Sequence, residues 1–474
     1  MSSTFYAFPL SGKGEAFLLR TTAGGEPKSV VVDAGYAREG PGSLFGAITR
    51  ESPDLKTIDR LICTHEDADH CGGMPGFIRA WIQSKRTIDQ LWLPAIWSVG
   101  GAGRTRTGWN TSEIVKGAFE VAPAIAGKLR DVREELAATG QVNAAAIATV
   151  RRAAADLARA NSSLDELLGG SIEDSDAVVA NGFEPGERVS VEDEWLHELN
   201  PNLLHVLSDY PAMVEMFDLL RKPWPLVSLR QLTGTVTRWV KSLPRSVEFF
   251  ADHPHHLAMM LAGDALKTHD RIAPIIAEAV HWNIPIRWFD FGRFRKNKAA
   301  HGGDAGFLTP VNAVEVAGTR GTVGAAVAFL ALTLSRANVE SLVFLRHAGL
   351  GEAPALFTAD SRLAFGTDRV RTNFPKPAAG LPAHRKLLAT AFHHAAANND
   401  HGYGVLKGWL GSATPVLYVR NGGAHIKGVA PSFLRADRLC VRCHGSSAAG
   451  RLVRIGAPAG EWQLPTHYVP CTCA

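Results

Sequence analysis

Ten residues, Thr64-His65-Glu66-Asp67-Ala68-Asp69-His70-Cys71-Gly72-Gly73, constrain this chain more than any other stretch. They follow the apolar run Ile58 to Cys63, which reads as a short strand, and five of the first seven (His65, Glu66, Asp67, Asp69, His70) can bind a metal. A buried loop cannot carry so many ionisable side chains unless they find partners, because an unpaired charge is costly to desolvate. On a helix, His65, Asp67, Asp69 and His70 would point in several directions, whereas in a loop leaving a strand end they can converge. Imidazole and carboxylate at this density suit Zn²⁺, Mn²⁺ or Fe, with room for two ions. The plain alternative is a polar loop whose side chains cap the next helix.

The flanking sequence predicts alternating α/β structure. Thr4 to Leu10 and Glu15 to Arg20 sit either side of Ser-Gly-Lys-Gly, as in a hairpin, and Lys28-Ser-Val-Val-Val-Asp33 is a β-branched run ending in Asp-Ala-Gly. Leu91 to Ile96 is a further strand. From about 101 to 281 Ala, Arg, Glu and Leu dominate, and Ile147, Val150, Ala154, Leu157 and Ala158 fall on one helical face, so a helical insertion is expected. Strand-like pieces resume at Ile286–Asp290, Ser341–Leu345, Ala355–Thr358, Leu387–Phe392 and Pro415–Val419. The expected units are 1–100 and 282–430 as two halves of one domain, 101–281 as the insertion, and 431–474 as a Cys-rich C-terminal tail. Trp282, Trp288, Phe289 and Phe291 are expected in the core.

His-x-Asp-x-Asp-His-x-Gly-Gly after a strand, preceded by Val-Val-Val-Asp33-Ala-Gly35, resembles the metallo-β-lactamase superfamily. Asp67 stands where most members have His, which is similar to the ComEC-like subgroup. Phe357-Thr358-Ala359-Asp360-Ser361 resembles the strand whose Asp bridges two metals, Ala391-Phe392-His393-His394-Ala395 the late Pro-His-His-Gly-Ser element, and Asn338-x-x-Ser341-Leu-Val a segment that precedes the bridging Asp. The resemblance covers roughly 1–100 and 282–425. It implies a four-layer αβ/βα sandwich holding two divalent ions, Zn²⁺ or Mn²⁺: His65 and Asp67 on one, Asp69 and His70 on the other, Asp360 on both, and His393 or His394 on the second. Phe392 and Ala395 replace the subgroup's Pro and Gly, and a third His for the first ion is not evident unless Asn338 or a residue of the insertion replaces it. Asp33, Asn338 and Ser341 would support the ligands from behind. The implied activity is a metal-dependent hydrolase whose nucleophile is hydroxide, with Asp69 as the catalytic carboxylate, acting on phosphodiesters such as nucleic acid or nucleotides. Alternatives are lactone or thioester hydrolysis on the same fold, or a metal-stabilised module binding a partner protein through the insertion in a multi-component bacterial system. Loop and Asp360 must then lie within about 10 Å of each other, since metal bonds are only about 2 Å long.

Cys440-Val-Arg-Cys443 and Cys471-Thr-Cys473 form two thiol pairs suited to one structural Zn²⁺. The 50 Lys+Arg against 46 Asp+Glu exclude a globally basic binder, so nucleic-acid contact would be local, at Gly292–Lys298 or at Arg435, Arg438, Arg442, Arg451 and Arg454. The start lacks a basic segment followed by an apolar run, and Gly321–Leu334 is too short to span a bilayer. A cytoplasmic protein with no membrane association is expected.

Overall fold

The computed structural model describes residues 3–100 except 12, parts of 117–127, and 254–318, 340–347, 352–364, 374–377, 385–411, 414–422, 428–444 and 452–464. Strands β1 (Ser3–Ala7), β2 (Phe17–Ala23) and β3 (Glu26–Val32) lead through α1 (Phe45–Glu51) to β4 (Thr57–Ile58) and β5 (Arg60–Ile62). Helices α2 (Ala68–Cys71) and α3 (Met74–Gln83) precede β6 (Thr87–Ile88) and β7 (Leu91–Pro94). Then come α4 (Pro254–His281), β8 (Ile286–Asp290), α5 (Phe291–Asn297), β9 (Leu308–Pro310), β10 (Val314–Val316), β11 (Phe344–Arg346), β12 (Ala355–Phe357) and β13 (Leu387–Thr390). Helix α6 (Asp400–Leu410), β14 (Val416–Arg420), α7 (Pro431–Arg435), β15 (Asp437–Cys440), α8 (Val441–His444) and β16 (Val453–Ala457) follow.

Two sheets dominate. The larger runs β10-β8-β7-β5-β3-β2-β1-β16 and the smaller β15-β14-β13-β12-β11-β9, while β4 and β6 form a short pair. The Ser-Gly-Lys-Gly segment joins β1 and β2 as an antiparallel pair, Phe5 opposite Leu19. β3, β5, β7 and β8 are mutually parallel, as are β12, β13, β14 and β15. In β3 the consecutive Val30, Val31 and Val32 are all buried, which requires cover on both faces of the sheet.

Phe5, Leu19, Val30, Val32, Ile62, Trp92 and Phe289 of the larger sheet share one core with Phe344, Phe357, Leu388, Leu417 and Val419 of the smaller. The rings interlock: Phe5 on Phe357 at 6.0 Å, Trp92 on Phe344 at 5.3 Å and Phe289 edge-on to Phe344 at 5.2 Å between centroids. The other face of the smaller sheet, with Leu345, Leu356, Leu387 and Tyr418, packs with Phe294 of α5, Tyr403 and Leu406 of α6 and Phe433 of α7. The chain is therefore mixed α/β, with two sheets face to face and helices on the outer face of the smaller one.

Several particulars differ from the sequence reading. β8 and β10 lie beyond residue 282 yet belong to the larger sheet, pairing outward from β7, so the chain crosses to the smaller sheet for β9, returns for β10 and crosses again for β11. Part of the 431–474 segment is built into both sheets: β15 edges the smaller, β16 pairs with β1, and Trp462 is buried against Phe5. Phe289 and Phe291 are buried as expected, but Trp282 and Trp288 are only half-buried. The helical face expected at 147–158 and the apolar 321–334 run lie outside the described residues, as does most of the insertion.

Candidate metal centre

Asp33, the 65–70 loop, Asp360, the 393–394 pair and Asn421 all follow the carboxyl ends of parallel strands, β3, β5, β12, β13 and β14 respectively. Glu15 joins them because β2 runs antiparallel to β3, which puts its entry, Phe17, opposite Val32 at the same end. In open α/β sheets such strand ends gather ligand groups, since backbone direction and loop placement coincide there. Loop and Asp360 do meet: His70 Nε2 is 3.2 Å from Asp360 Oδ1.

The loop is held from behind. Buried Asp33 accepts hydrogen bonds from Thr64 N (2.9 Å, on Oδ1) and Thr64 Oγ1 (2.7 Å, on Oδ2), and its Oδ2 lies 2.8 Å from His70 Nδ1. With its proton given to Asp33, Thr64 Oγ1 accepts from His65 Nδ1 at 2.9 Å. Cys63 Sγ donates to the His65 carbonyl (3.7 Å) and Cys71 Sγ to the Glu66 carbonyl (3.2 Å). From α4, Arg271 Nη1 donates to the Glu66 carbonyl at 3.3 Å, so the end of the insertion is tied to this loop. Gly73 lets the loop close against β3: a Cβ there would sit 2.1 Å from the Ala34 carbonyl oxygen.

The ring nitrogens committed to these supports fix where the opposite nitrogens point. His65 Nε2 lies 3.7 Å from Asp67 Oδ2 and 3.7 Å from Asp360 Oδ2. His394 Nδ1 is 3.0 Å from Glu15 Oε2, and its Nε2 is 3.2 Å from His70 Nε2, 3.5 Å from Asp69 Oδ2 and 3.7 Å from Asp360 Oδ1. His393 Nε2 is 3.3 Å from Asp360 Oδ2. Buried His65 Nε2 and Asp360 Oδ1 make no hydrogen bond. Imidazole lone pairs facing each other and a carboxylate require a cation between them, either a proton or a metal. Three sets have ligand atoms all within 4.8 Å of one another, His65–His70–Asp360, Asp69–His70–His394 and Glu15–Asp33–His70, and the donors, imidazole nitrogen and carboxylate oxygen, suit a divalent ion.

Without such an ion, protons compensate the buried charge. Burial opposes ionisation of Asp69, but its hydrogen bond with His394 and the charges of His70 and His394 outweigh this and carry it down to about 2. Burial likewise disfavours the His394 cation, yet the carboxylates of Asp360 and Glu15 lift it to about 10. Burial opposes the His70 cation too, but Asp360 and Asp33 raise it well above the ordinary imidazole range. His393 moves the other way, lowered chiefly by burial.

Backbone strain collects at the same place. His393, His394 and Ala395 are three consecutive residues with φ of 46°, 50° and 64°, and Asp33 (59°) and Ala359 (44°) are also left-handed. Each costs about 1–3 kcal/mol and persists only where the surroundings impose it.

His65, Asp67, Asp69, His70, Asp360, His393 and His394 thus converge. Ser341 Oγ accepts from Asp360 N (3.2 Å) and lies 3.5 Å from His65 Nδ1. Asn338, Cys471 and Cys473 lie outside the described residues. Cys440 is buried among the outer helices of the smaller sheet and Cys443 is half-buried there. Sequence reasoning missed Glu15, Asn399, whose Nδ2 donates to the Asp360 carbonyl (2.9 Å), and Asn312, which ties down the segment leading into β11 by donating to Ser341 O and accepting from Val343 N (2.8 Å each). Glu15 was visible only as a carboxylate beside the Ser-Gly-Lys-Gly turn.

Fold and site define an α/β protein with a His/Asp cluster able to hold divalent metal at the strand ends. A family model described as the metallo-beta-lactamase superfamily matches residues 13–143, the stretch that contains Glu15, Asp33 and the whole 65–70 loop. No curated protein matches the chain. Among the described residues no helix is long and apolar enough to cross a membrane.

Proposed function

We propose that this chain is a metal-dependent hydrolase of phosphodiesters, a ComEC-like member of the metallo-β-lactamase superfamily with a four-layer αβ/βα sandwich and two divalent ions, Zn²⁺ or Mn²⁺. The single observation that carries the reading is the Asp360 carboxylate, which turns Oδ1 to His70 and His394 and Oδ2 to His65. One carboxylate facing two imidazole groups on opposite oxygens is what bridging two cations requires. Asp69, His70, His394 and Asp360 Oδ1 would hold one ion, and His65, Asp67 and Asp360 Oδ2 the other. Bound ions of this kind supply a nucleophilic water at neutral pH and neutralise charge on the attacked and leaving oxygens.

Asp69, carried down to about 2, stays ionised throughout the working range, so its carboxylate accepts a hydrogen bond and orients water rather than storing a proton. Asp33 and Glu15 hold the outer nitrogens of His70 and His394 and keep the inner ones directed at the centre. The preference for phosphodiesters rests on the resemblance of the Asp67-bearing loop to the nuclease-associated subgroup. Cys440 and Cys443 would hold a structural zinc together with Cys471 and Cys473, and the insertion would offer a surface to a partner protein.

The test is turnover of bis-(p-nitrophenyl) phosphate, p-nitrophenyl acetate and a lactone by the Mn²⁺- and Zn²⁺-loaded protein. Phosphodiester turnover abolished by chelation and by Asp69→Ala is the expected outcome. Turnover of the carbonyl substrates alone would reassign the substrate. No turnover of any of them, with Asp69→Ala and Asp360→Ala indistinguishable from wild type, would leave the interaction module as the better reading.

A further inference from the structure

We infer that the adjacent histidines divide between the two metal positions, with His393 completing the position of His65 and Asp67 while His394 serves that of Asp69 and His70. This deepens the two-ion reading above and rests on it. Beside His65 and Asp67 the sequence shows no evident third ligand for the first position. The structure supplies one from the other half of the chain. His393 Nε2 lies 3.3 Å from Asp360 Oδ2, the oxygen that also faces His65 Nε2 at 3.7 Å. His394 Nε2 lies 3.7 Å from Asp360 Oδ1, the oxygen that faces His70 Nε2 at 3.2 Å. Each histidine of the pair therefore addresses a different oxygen of one carboxylate, and with it a different ion.

Consecutive side chains of a strand point to opposite faces, so neighbours would not ordinarily reach one carboxylate from the same loop. The left-handed backbone at His393, His394 and Ala395 removes that alternation. His393 N donates to the Ala359 carbonyl at 3.0 Å, which pins the turn to the residue before Asp360. The Asn399 side chain lies against His393 as well and donates to the Asp360 carbonyl, so ligand and bridge share one brace. His394 is sealed against Glu15, whereas the His393 side chain retains 18% exposure. A ligand at the first position would thus be the more solvent-accessible of the two.

The experiment counts ions per chain by mass spectrometry after Mn²⁺ or Zn²⁺ loading and dialysis, in wild type, His65→Ala, His393→Ala, His394→Ala and two double variants. Wild type should keep two ions, and His393→Ala should lose one. His65→Ala/His393→Ala should lose no more than either single variant, because both act on one position, and His393→Ala/His394→Ala should lose both. Two ions retained by His393→Ala with unchanged affinity, or both lost from His65→Ala/His393→Ala, would overturn the assignment. A wild type holding fewer than two ions would instead overturn the two-ion reading and this assignment with it. Should His393→Ala fail to fold, Co²⁺-loaded wild type decides by paramagnetic proton NMR: four shifted imidazole N–H signals, from His65, His70, His393 and His394, support the division, and three refute it.

Discussion

Loading the centre with metal must expel the protons that neutralise it in the metal-free state, and this makes affinity a steep function of pH. His394 sits at about 10 without an ion, so at pH 7 only about one molecule in a thousand presents it deprotonated. Three pH units at about 1.36 kcal/mol each mean that binding at the Asp69–His70–His394 position spends about 4 kcal/mol on that proton alone. Affinity for Mn²⁺ should therefore rise about tenfold per pH unit, about a hundredfold from pH 7 to 9, and more where His70 also gives up a proton. Stability of the metal-free protein should run oppositely. A raised imidazole stabilises the fold fully below about 6.5, its unfolded value, and that contribution is lost as pH climbs toward 10. Calorimetric titration with Mn²⁺ in two buffers of different ionisation enthalpy measures both affinity and proton release, at least one proton per ion at this position. An affinity that changes less than about threefold from pH 7 to 9, with no buffer dependence, would refute the buried, protonated pair.

Asp33→Ala should cost about 2–5 kcal/mol in urea unfolding of the metal-free protein, since it strands the buried Thr64 N–H and His70 Nδ1; a loss below about 1 kcal/mol would show that water replaces the carboxylate. Glu15→Gln removes the charge beside His394 while keeping a similar shape, and should weaken one ion about 10–100-fold in a chelator competition while leaving the other unchanged. Gly422→Ala places a Cβ about 2.6 Å from His394 Nδ1 at a φ of 86°; both melting temperature and ion affinity should fall, and unchanged values would mean that the 421–422 turn gives way freely. Lowering the pH from about 3.8 toward 2 should destabilise the metal-free protein as Asp69 takes up a proton, because a carboxylate held below its ordinary value adds its full stability above about 3.8 and loses it as the pH falls through about 2.

Local chemistry made much of this legible beforehand. The Val30–Val32 run and the Ile286–Asp290 and Pro415–Val419 segments are apolar enough to announce strands, and the 65–70 loop announces a candidate metal site because so many ionisable groups in so short a span need partners. The three-residue strands β9 and β10 escaped notice because a period of two cannot be read in three residues. β16, with its alternating burial, was overlooked beside the arginines that caught attention in that segment.

What the linear order determined by itself was the inventory: which side chains can bind a cation, and that they follow strands. Only the tertiary structure decided who meets whom. Glu15 matters because β2 enters the sheet antiparallel at the end where β3 and β5 leave it, and His393 and His394 part company because the backbone turns left-handed between two oxygens of Asp360. Both facts arise from directions in space. Spacing along the chain carries none of that information, since contacts separated by more than 300 residues are fixed by how two sheets close on a shared core.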